Sequence, residues 1–235
     1  MKKIFSIIVV CLMMVSMVAC GSSSASSAKP TATQAKGGVA SPVTTQTEVK
    51  ALEIKDSGWV VKNGYLYCYI DMFNPNEDIA IQLPSYRVTA RGENNEVLGT
   101  QDHTLSVINP QQHFIYGFQY FSVSKTPKTV EVQPLEAKEY NVKRSGKYKE
   151  YKPLEAVNYA QGEGKITGEI NNPNDYTIDN SVVVAICRND KGELVDIVST
   201  FVNSIPAGGS IPFEISMFGN KNKYPDIKVY ADRWL

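Results

Sequence analysis

The segment Tyr65–Asn76, which reads YLYCYIDMFNPN, gives the clearest indication of the fold of this chain. Its even-numbered residues from 66 to 72 are apolar, and this period of two is typical of a β-strand with one face in a core. Asn74-Pro75-Asn76 ends the strand, because Pro cannot donate to a β-ladder and Asn bonds its own backbone in turns. Before it, Trp59–Lys62 and the dipeptide Asn63-Gly64 complete a predicted hairpin, since Asn-Gly tolerates the positive φ angles of a type I′ turn.

The same segment has a second copy later in the chain. Asn172-Pro173-Asn174 repeats Asn74-Pro75-Asn76 at an offset of 98 residues. A repeat of about 100 residues is a domain-sized module and not a solenoid unit. Further landmarks keep an offset of 97 or 98 residues: Glu96-Val97-Leu98 with Glu193-Leu194-Val195, Ile108-Asn109-Pro110 with Ile205-Pro206-Ala207, Phe114/Tyr116/Phe118 with Ile211/Phe213/Ile215, and Thr129–Val132 with Asp226–Tyr230.

Both copies contain short strand patterns separated by turn signals, and no segment keeps an apolar period of 3.6 residues. This pattern predicts an all-β chain with two tandem β-sandwich modules, over residues 47–137 and 148–235. Val182–Ile186 is almost continuously β-branched, which indicates a strand covered on both faces. Each module has roughly 90 residues, a size that can fold alone without a metal or a disulfide.

These landmarks resemble the FxLYD-type module, an immunoglobulin-like β-sandwich of bacterial lipoproteins and membrane-tethered proteins. The matching residues are the strands before Asn74-Pro75 and Asn172-Pro173, the strand and polar turn from Val183 to Gly192, and the turn at Ile205-Pro206. The likeness covers residues from about 50 to 235, although Phe-x-Leu-Tyr-Asp itself occurs in neither copy. It implies two tandem immunoglobulin-like modules and brings no common catalytic site with it.

The N-terminus predicts export and lipidation. Lys2 and Lys3 precede an apolar run from Ile4 to Met17, too short for a membrane span and typical of a signal peptide. Ala19-Cys20-Gly21 resembles the bacterial lipobox, which implies a signal peptide over 1–19, cleavage before Cys20 and a diacylglycerol thioether on that residue. Lipid chains on Cys20 would hold the protein at the membrane. Residues 20–46, rich in Ser, Ala and Thr, are interpreted as a flexible linker.

Charge and cysteine content narrow the function classes. Removing Lys2 and Lys3 from 24 basic residues leaves 22 against 24 acidic ones, and this near-neutral balance does not favour a nucleic-acid partner. Cys68 and Cys187 fall in different modules and align with Ile166 and Ala90. We therefore interpret both as core residues and not as a disulfide, although exported proteins can keep disulfides.

Candidate chemistry is sparse. His103 and His113 are the only histidines, and with Asp102 they form the one conceivable metal or catalytic group. The Asn- and Asp-rich loops from Asn74 to Asp78 and from Asn172 to Asp179 hold oxygen ligands that calcium could use, although the same residues favour plain turns. We expect Asn74 and Asn172 to be structural, and we predict no catalytic, cofactor or metal site.

The segment from Lys138 to Lys152 joins the two copies and holds six basic residues and three tyrosines. It could touch anionic lipid headgroups or wall polymers, but a solvated linker followed by the first strand is the favoured interpretation. Together these features predict a non-enzymatic, lipid-anchored protein on the extracytoplasmic side of the cell membrane. Its partner would be another envelope protein or a wall polymer. The alternative is an envelope hydrolase or ligand-carrying protein with a site near His103 and His113.

Overall fold

Paired antiparallel strands make up almost all of the computed structural model, which describes residues 48–144, 146–217 and 223–234. The predicted signal peptide (1–19), the linker (20–46) and Cys20 lie outside these residues. The all-β prediction is confirmed. The strands are β1 Glu53–Lys62, β2 Tyr65–Phe73, β3 Ala80–Gln82, β4 Ser85–Arg91, β5 Val97–Thr104, β6 Val107–Ile108, β7 His113–Ser122, β8 Thr129–Pro134, β9 Val142–Lys143, β10 Glu155–Gly162, β11 Lys165–Asn171, β12 Ile178–Arg188, β13 Leu194–Ile205, β14 Ser210–Ser216 and β15 Asp226–Trp234.

The strand order is the same in the two halves of the described chain. Sheets β1-β2-β7 and β5-β4-β8 form the first half, and sheets β10-β11-β14 and β13-β12-β15 form the second. A small sheet, β6-β3-β9, lies beside the first pair. Helical structure in the described part of the chain is limited to a 3₁₀ turn at Glu139–Asn141 and the four-residue helix α1, Gly146–Lys149, both in the segment that joins the halves.

The predicted hairpin between β1 and β2 is confirmed. Lys62 pairs with Tyr65 across the turn, and Asn63 and Gly64 have φ angles of 53° and 78°. Two consecutive positive φ angles are the property of a type I′ turn, and its backbone twist matches that of the flanking strands. The turn therefore fixes the register that turns Leu66 and Cys68 into the core.

Strand β12 is covered on both of its faces, as its apolar run predicted. Val182, Val184 and Ile186 belong to the core cluster of the first half, together with Leu66, Cys68, Ile70, Tyr86 and Val88. Val183, Ala185 and Cys187 belong to the cluster of the second half, with Ile166, Ile170 and Phe213. The sheet β13-β12-β15 thus lies between two apolar layers, and residues 46–235 form one compact unit.

Candidate functional site

The contact between the two halves is centred on Gly117 of β7. Strand β7 lies against β13, β12 and β15 of the second half. A Cβ atom on Gly117 would overlap the Cγ2 methyl of Ile197 and lie 3.0 Å from Cγ1 of Val184. Only glycine therefore permits this close approach of β7 to β12 and β13.

A buried ion pair joins the halves near this point. The Lys62 ammonium of β1 contacts the carboxylate of Asp196 on β13, whose side chain is fully buried. The Tyr224 hydroxyl donates to the other oxygen of the same carboxylate at 3.2 Å. A buried carboxylate needs such partners, because its desolvation is costly.

Further polar contacts cross the same interface. Arg188 of β12 donates to the Tyr69 hydroxyl at 3.0 Å, which in turn donates to Asp56 at 2.8 Å. The backbone N–H of Ile115 donates to the Asp232 carboxylate at 2.9 Å. The pKa of Asp232 is raised to about 7, mainly by burial; the N–H of Ile115 opposes this rise, and the nearby Asp71 charge adds to it.

Five aromatic rings form a continuous row along this side of the molecule, hereafter the aromatic row: His103, Tyr116, Phe118, Trp234 and Phe201. His103 stacks on Tyr116, Tyr116 on Trp234, and Trp234 meets Phe201 edge-on, with centroid distances of 4.9, 5.4 and 5.4 Å. Phe118 lies 5.4 Å from His103. The row combines rings from both halves, and its outer members, Phe118 and Phe201, are 41% and 52% exposed.

A groove of about 640 Å³ runs beside the row, between β7 and β13. Its apolar walls are Phe118, Phe201, Ile197 and Met217, and its polar groups come from Lys62, Asn63, Tyr67, Gln119 and Ser199. Tyr67 donates to the Gln119 side chain at 2.5 Å, so these two polar groups are already ordered. Mostly apolar walls with a few placed polar groups are typical of binding sites.

The predicted group of His103, His113 and Asp102 does not come together. His103 packs within the aromatic row, and burial lowers its pKa. Asp102 accepts two hydrogen bonds from Arg87, at 2.6 and 2.8 Å. His113 is exposed and bonds Asp71 at 2.6 Å. Among the described residues there is no group of three His, Cys, Asp or Glu side chains that could hold a metal ion.

Cys68 and Cys187 are both buried and free, each in the core of its own half. Their interpretation as core residues is confirmed. Burial raises the pKa of each thiol to about 12, with the Asp196 charge adding to the rise at Cys187. Neither thiol therefore forms the reactive thiolate at neutral pH.

The two Asn-Pro-Asn turns bond their own backbone, as predicted. Asn74 donates to the carbonyls of Ile79, Ile108 and Asn109, and Asn172 donates to those of Tyr176, Ile205 and Pro206. Each Oδ1 accepts from the backbone and side-chain nitrogens of the Asn two residues later. The side-chain oxygens that calcium would need at Asn74 and Asn172 are therefore occupied by N–H donors.

The joining segment is not the solvated linker that its sequence predicts. Tyr148 and Tyr151 are buried, whereas Tyr140 is largely exposed. The Gln82 side chain donates to the Tyr148 hydroxyl at 2.8 Å, and the Gln112 side chain donates to the Tyr151 carbonyl at 2.8 Å. These contacts tie the segment to the first half. The sequence could not predict these contacts, because two isolated tyrosines show no helical or strand periodicity.

Of the aromatic row, only Tyr116 and Phe118 belonged to a recognised pattern, the alternation in β7. Trp234 and Phe201 were missed, because each is a single aromatic residue on a strand whose pattern does not reveal what lies beside it. No helix in the described part of the chain is long and apolar enough to cross a membrane.

Comparisons with solved structures return distant likenesses. No family model matches the chain, and no curated protein does. Red sea bream transglutaminase is similar at 13% identity with a TM-score of 0.24, over 79% of this chain and 29% of that one. The C-terminal globular domain of an oligosaccharyltransferase from Pyrococcus abyssi is similar at 11% identity with a TM-score of 0.21, over 77% of this chain and 46% of that one. The chain therefore spans less than half of either, and likenesses this weak support no functional argument.

Proposed function

We propose that this chain is a lipid-anchored protein of the bacterial cell envelope that binds another envelope component and catalyses no reaction. The proposed binding role rests on the aromatic row and the groove beside it. Exposed Phe118 and Phe201 flank a preformed cleft, and large exposed aromatic side chains beside ordered polar groups mark interaction sites. Burying these rings against a partner would supply apolar contact area with little loss of side-chain freedom.

The anchoring part rests on the N-terminal sequence. Lys2 and Lys3, the apolar run and Ala19-Cys20 support cleavage and lipidation at Cys20, with palmitate-type chains inserted in the outer face of the cell membrane. The linker over 20–46 would then carry the β-sheet unit away from the lipid surface. The resemblance to FxLYD-type, immunoglobulin-like modules agrees with such a tethered role.

Photocrosslinking from single positions tests the binding face. A photoreactive phenylalanine analogue would replace Phe118 or Phe201, and the matched control would carry it at Val97, which is exposed to a similar degree (55%) on β5. In native membranes we expect adducts of one defined mass from positions 118 and 201 and none from 97. Equal adducts from all three positions would show that the aromatic row is not the binding face.

The anchor is tested separately. Cys20→Ala should lose metabolic labelling by a fatty acid analogue and should retain the uncleaved precursor, because no thiol remains for the diacylglyceryl group. Cys68→Ala is the matched control, since that cysteine is buried and should leave labelling unchanged. Labelling that persists in Cys20→Ala would contradict the lipoprotein assignment.

The alternative was an enzyme or carrier with a site at His103 and His113. Neither histidine lines the groove beside the aromatic row. His103 is stacked between rings and His113 is paired with Asp71. No observation therefore favours this alternative over the binding role.

A further inference from the structure

A second cavity, distinct from the aromatic groove, lies where the joining segment meets the second half. Its volume is about 1130 Å³. Its walls come from α1, from the turn over residues 173–176, from the turn at Ala207-Gly208 and from Arg233 on β15. Four separate parts of the chain thus converge on one concave surface.

Three cationic side chains from different elements line this cavity: Lys147, Lys152 and Arg233. Among the described residues, none of the three has a carboxylate within 4.0 Å. Concentrating positive charge on a concave surface raises the local concentration of anions. Glu150 and Asp175 also line the cavity, so its charge is mixed, with acceptors for hydroxyl groups beside the cations.

Arg233 is held in place with unused donor capacity. Its guanidinium stacks 4.5 Å above the Tyr151 ring, and Nη2 donates to Asn109 at 3.2 Å. Its Nε atom is buried and makes no hydrogen bond within the described structure. The planar guanidinium can bind two oxygens of a phosphate or carboxylate through its terminal nitrogens, whereas the buried Nε atom is closed off from the cavity.

The cavity walls are preformed. Lys152 and Asn174 exchange two hydrogen bonds of 2.8 Å, between the Lys152 backbone and the Asn174 side chain. The N–H of Gly208 donates to the Asn174 carbonyl at 2.9 Å. The Tyr148 ring is fixed through Gln82. A ligand would therefore meet an ordered site, which lowers the entropy lost on binding.

We propose that this cavity binds a phosphate ester that carries hydroxyl groups. Lys147, Lys152 and Arg233 bind the phosphate oxygens, and Glu150 and Asp175 accept hydrogen bonds from the hydroxyls. A glycerol phosphate unit has this chemistry, and an envelope offers it either as the headgroup of phosphatidylglycerol or as a repeating unit of an anionic wall polymer. The site is independent of the aromatic groove, so failure here leaves the proposed binding face untouched.

Calorimetric titration of the full exported chain, residues 20–235, tests the site with three probes. The probes are sn-glycerol 3-phosphate, a soluble oligomer of glycerol phosphate, and vesicles of phosphatidylglycerol with phosphatidylcholine vesicles as the reference. The variants are Lys147→Gln/Lys152→Gln and Arg233→Gln. The matched control is Lys149→Gln, which removes an exposed cation of α1 that does not line the cavity.

We expect the double variant and Arg233→Gln to weaken binding at least tenfold and Lys149→Gln to weaken it less than twofold. Tighter binding of the oligomer than of vesicles assigns the ligand to a wall polymer, and the reverse assigns it to lipid. If Arg233→Gln lowers the melting temperature, the proposal is judged from the binding affinity of the double lysine variant. The proposal is overturned if none of the probes binds. It is also overturned if Lys149→Gln weakens binding as much as the double variant does, because binding would then depend on the overall positive charge of this surface and not on the cavity.

Discussion

The Asn74 side chain is completely buried, and it hydrogen-bonds both within its own turn and with the turn at Ile108-Asn109. Asn172 repeats the same contacts in the second half and is also buried. Each amide nitrogen binds carbonyls from two separate loops, so one side chain closes the end of a sandwich. Asn suits the end of each strand because its side-chain amide both donates and accepts hydrogen bonds.

Asn74→Ala and Asn172→Ala should each lower the free energy of unfolding by about 2–4 kcal/mol, because several buried carbonyls lose their donor. Urea titration followed by circular dichroism measures this. Asn94→Ala is the control, since Asn94 is exposed in a turn and should change stability by less than about 0.5 kcal/mol. An unchanged midpoint in Asn74→Ala together with loss of partner binding would make that turn a ligand site instead.

His103 should make the protein less stable in acid. Burial lowers its pKa, so the folded state binds fewer protons than the unfolded state. Its effect is absent above the unfolded pKa of about 6.5, and stability falls as the pH drops below that value. His103→Gln should flatten the fall in unfolding free energy between pH 6.5 and 5. An identical slope in both proteins would show that the ring takes up its proton as readily in the folded state.

Asp232 should have the opposite pH dependence. Its folded pKa is raised to about 7 by burial, so its contribution to stability is complete below the unfolded pKa near 3.9 and is lost as the pH rises through 7. Asp232→Asn keeps an oxygen to accept from Ile115 and carries no charge. The variant should therefore gain stability over the native chain between pH 4 and 8. A difference that stays constant across this range would contradict the raised pKa.

At the scale of elements, the contact of β7 with β13 depends on a missing side chain. Gly117→Ala would place a methyl against Ile197 and Val184, and a closely packed interface tolerates added volume poorly. We expect the free energy of unfolding, measured by thermal denaturation, to fall by about 1–3 kcal/mol. Gly146→Ala is the matched control, because its Cβ would meet no atom within 4 Å and its position in α1 favours alanine. Equal effects of the two substitutions would argue against close packing at Gly117.

The elements also show what sequence can and cannot predict. Alternation identified the inward residues of β2, and the dipeptide Asn63-Gly64 identified its hairpin, because both depend on neighbours in the chain. The apolar run in β12 revealed that both of its faces are covered. It did not reveal what covers the outer face, since β7 and its Gly117 are distant in sequence. The aromatic row could not be predicted for the same reason: its rings converge from β5, β7, β13 and β15.

At the scale of the whole molecule, the Lys62–Asp196 pair ties the two halves together through a buried charge. Lys62→Ala removes the ammonium partner of a fully buried carboxylate and should cost about 3–5 kcal/mol of unfolding free energy. Lys165→Ala is the control, because its pair with Glu214 is exposed on both sides and contributes at most about 1 kcal/mol. If both variants melt alike, Asp196 is stabilised without Lys62.

The two halves, residues 47–137 and 148–235, are expected to fold separately, because each contains its own pair of sheets. Separation would expose Val182, Val184 and Ile197, which pack against the first half, so each fragment should melt below the intact chain. Mixing the fragments should bury this surface again and give a 1:1 complex by light scattering. Gly117→Ala in the first fragment should prevent that association without unfolding the fragment. The atoms that its added methyl would crowd, on Ile197 and Val184, belong to the second half, and its 3.6 Å approach to Tyr69 of the first half is ordinary van der Waals contact. If circular dichroism shows either fragment unfolded alone and folded in the mixture, residues 46–235 are a single folding unit and the repeat in the sequence is not a repeat of independent domains.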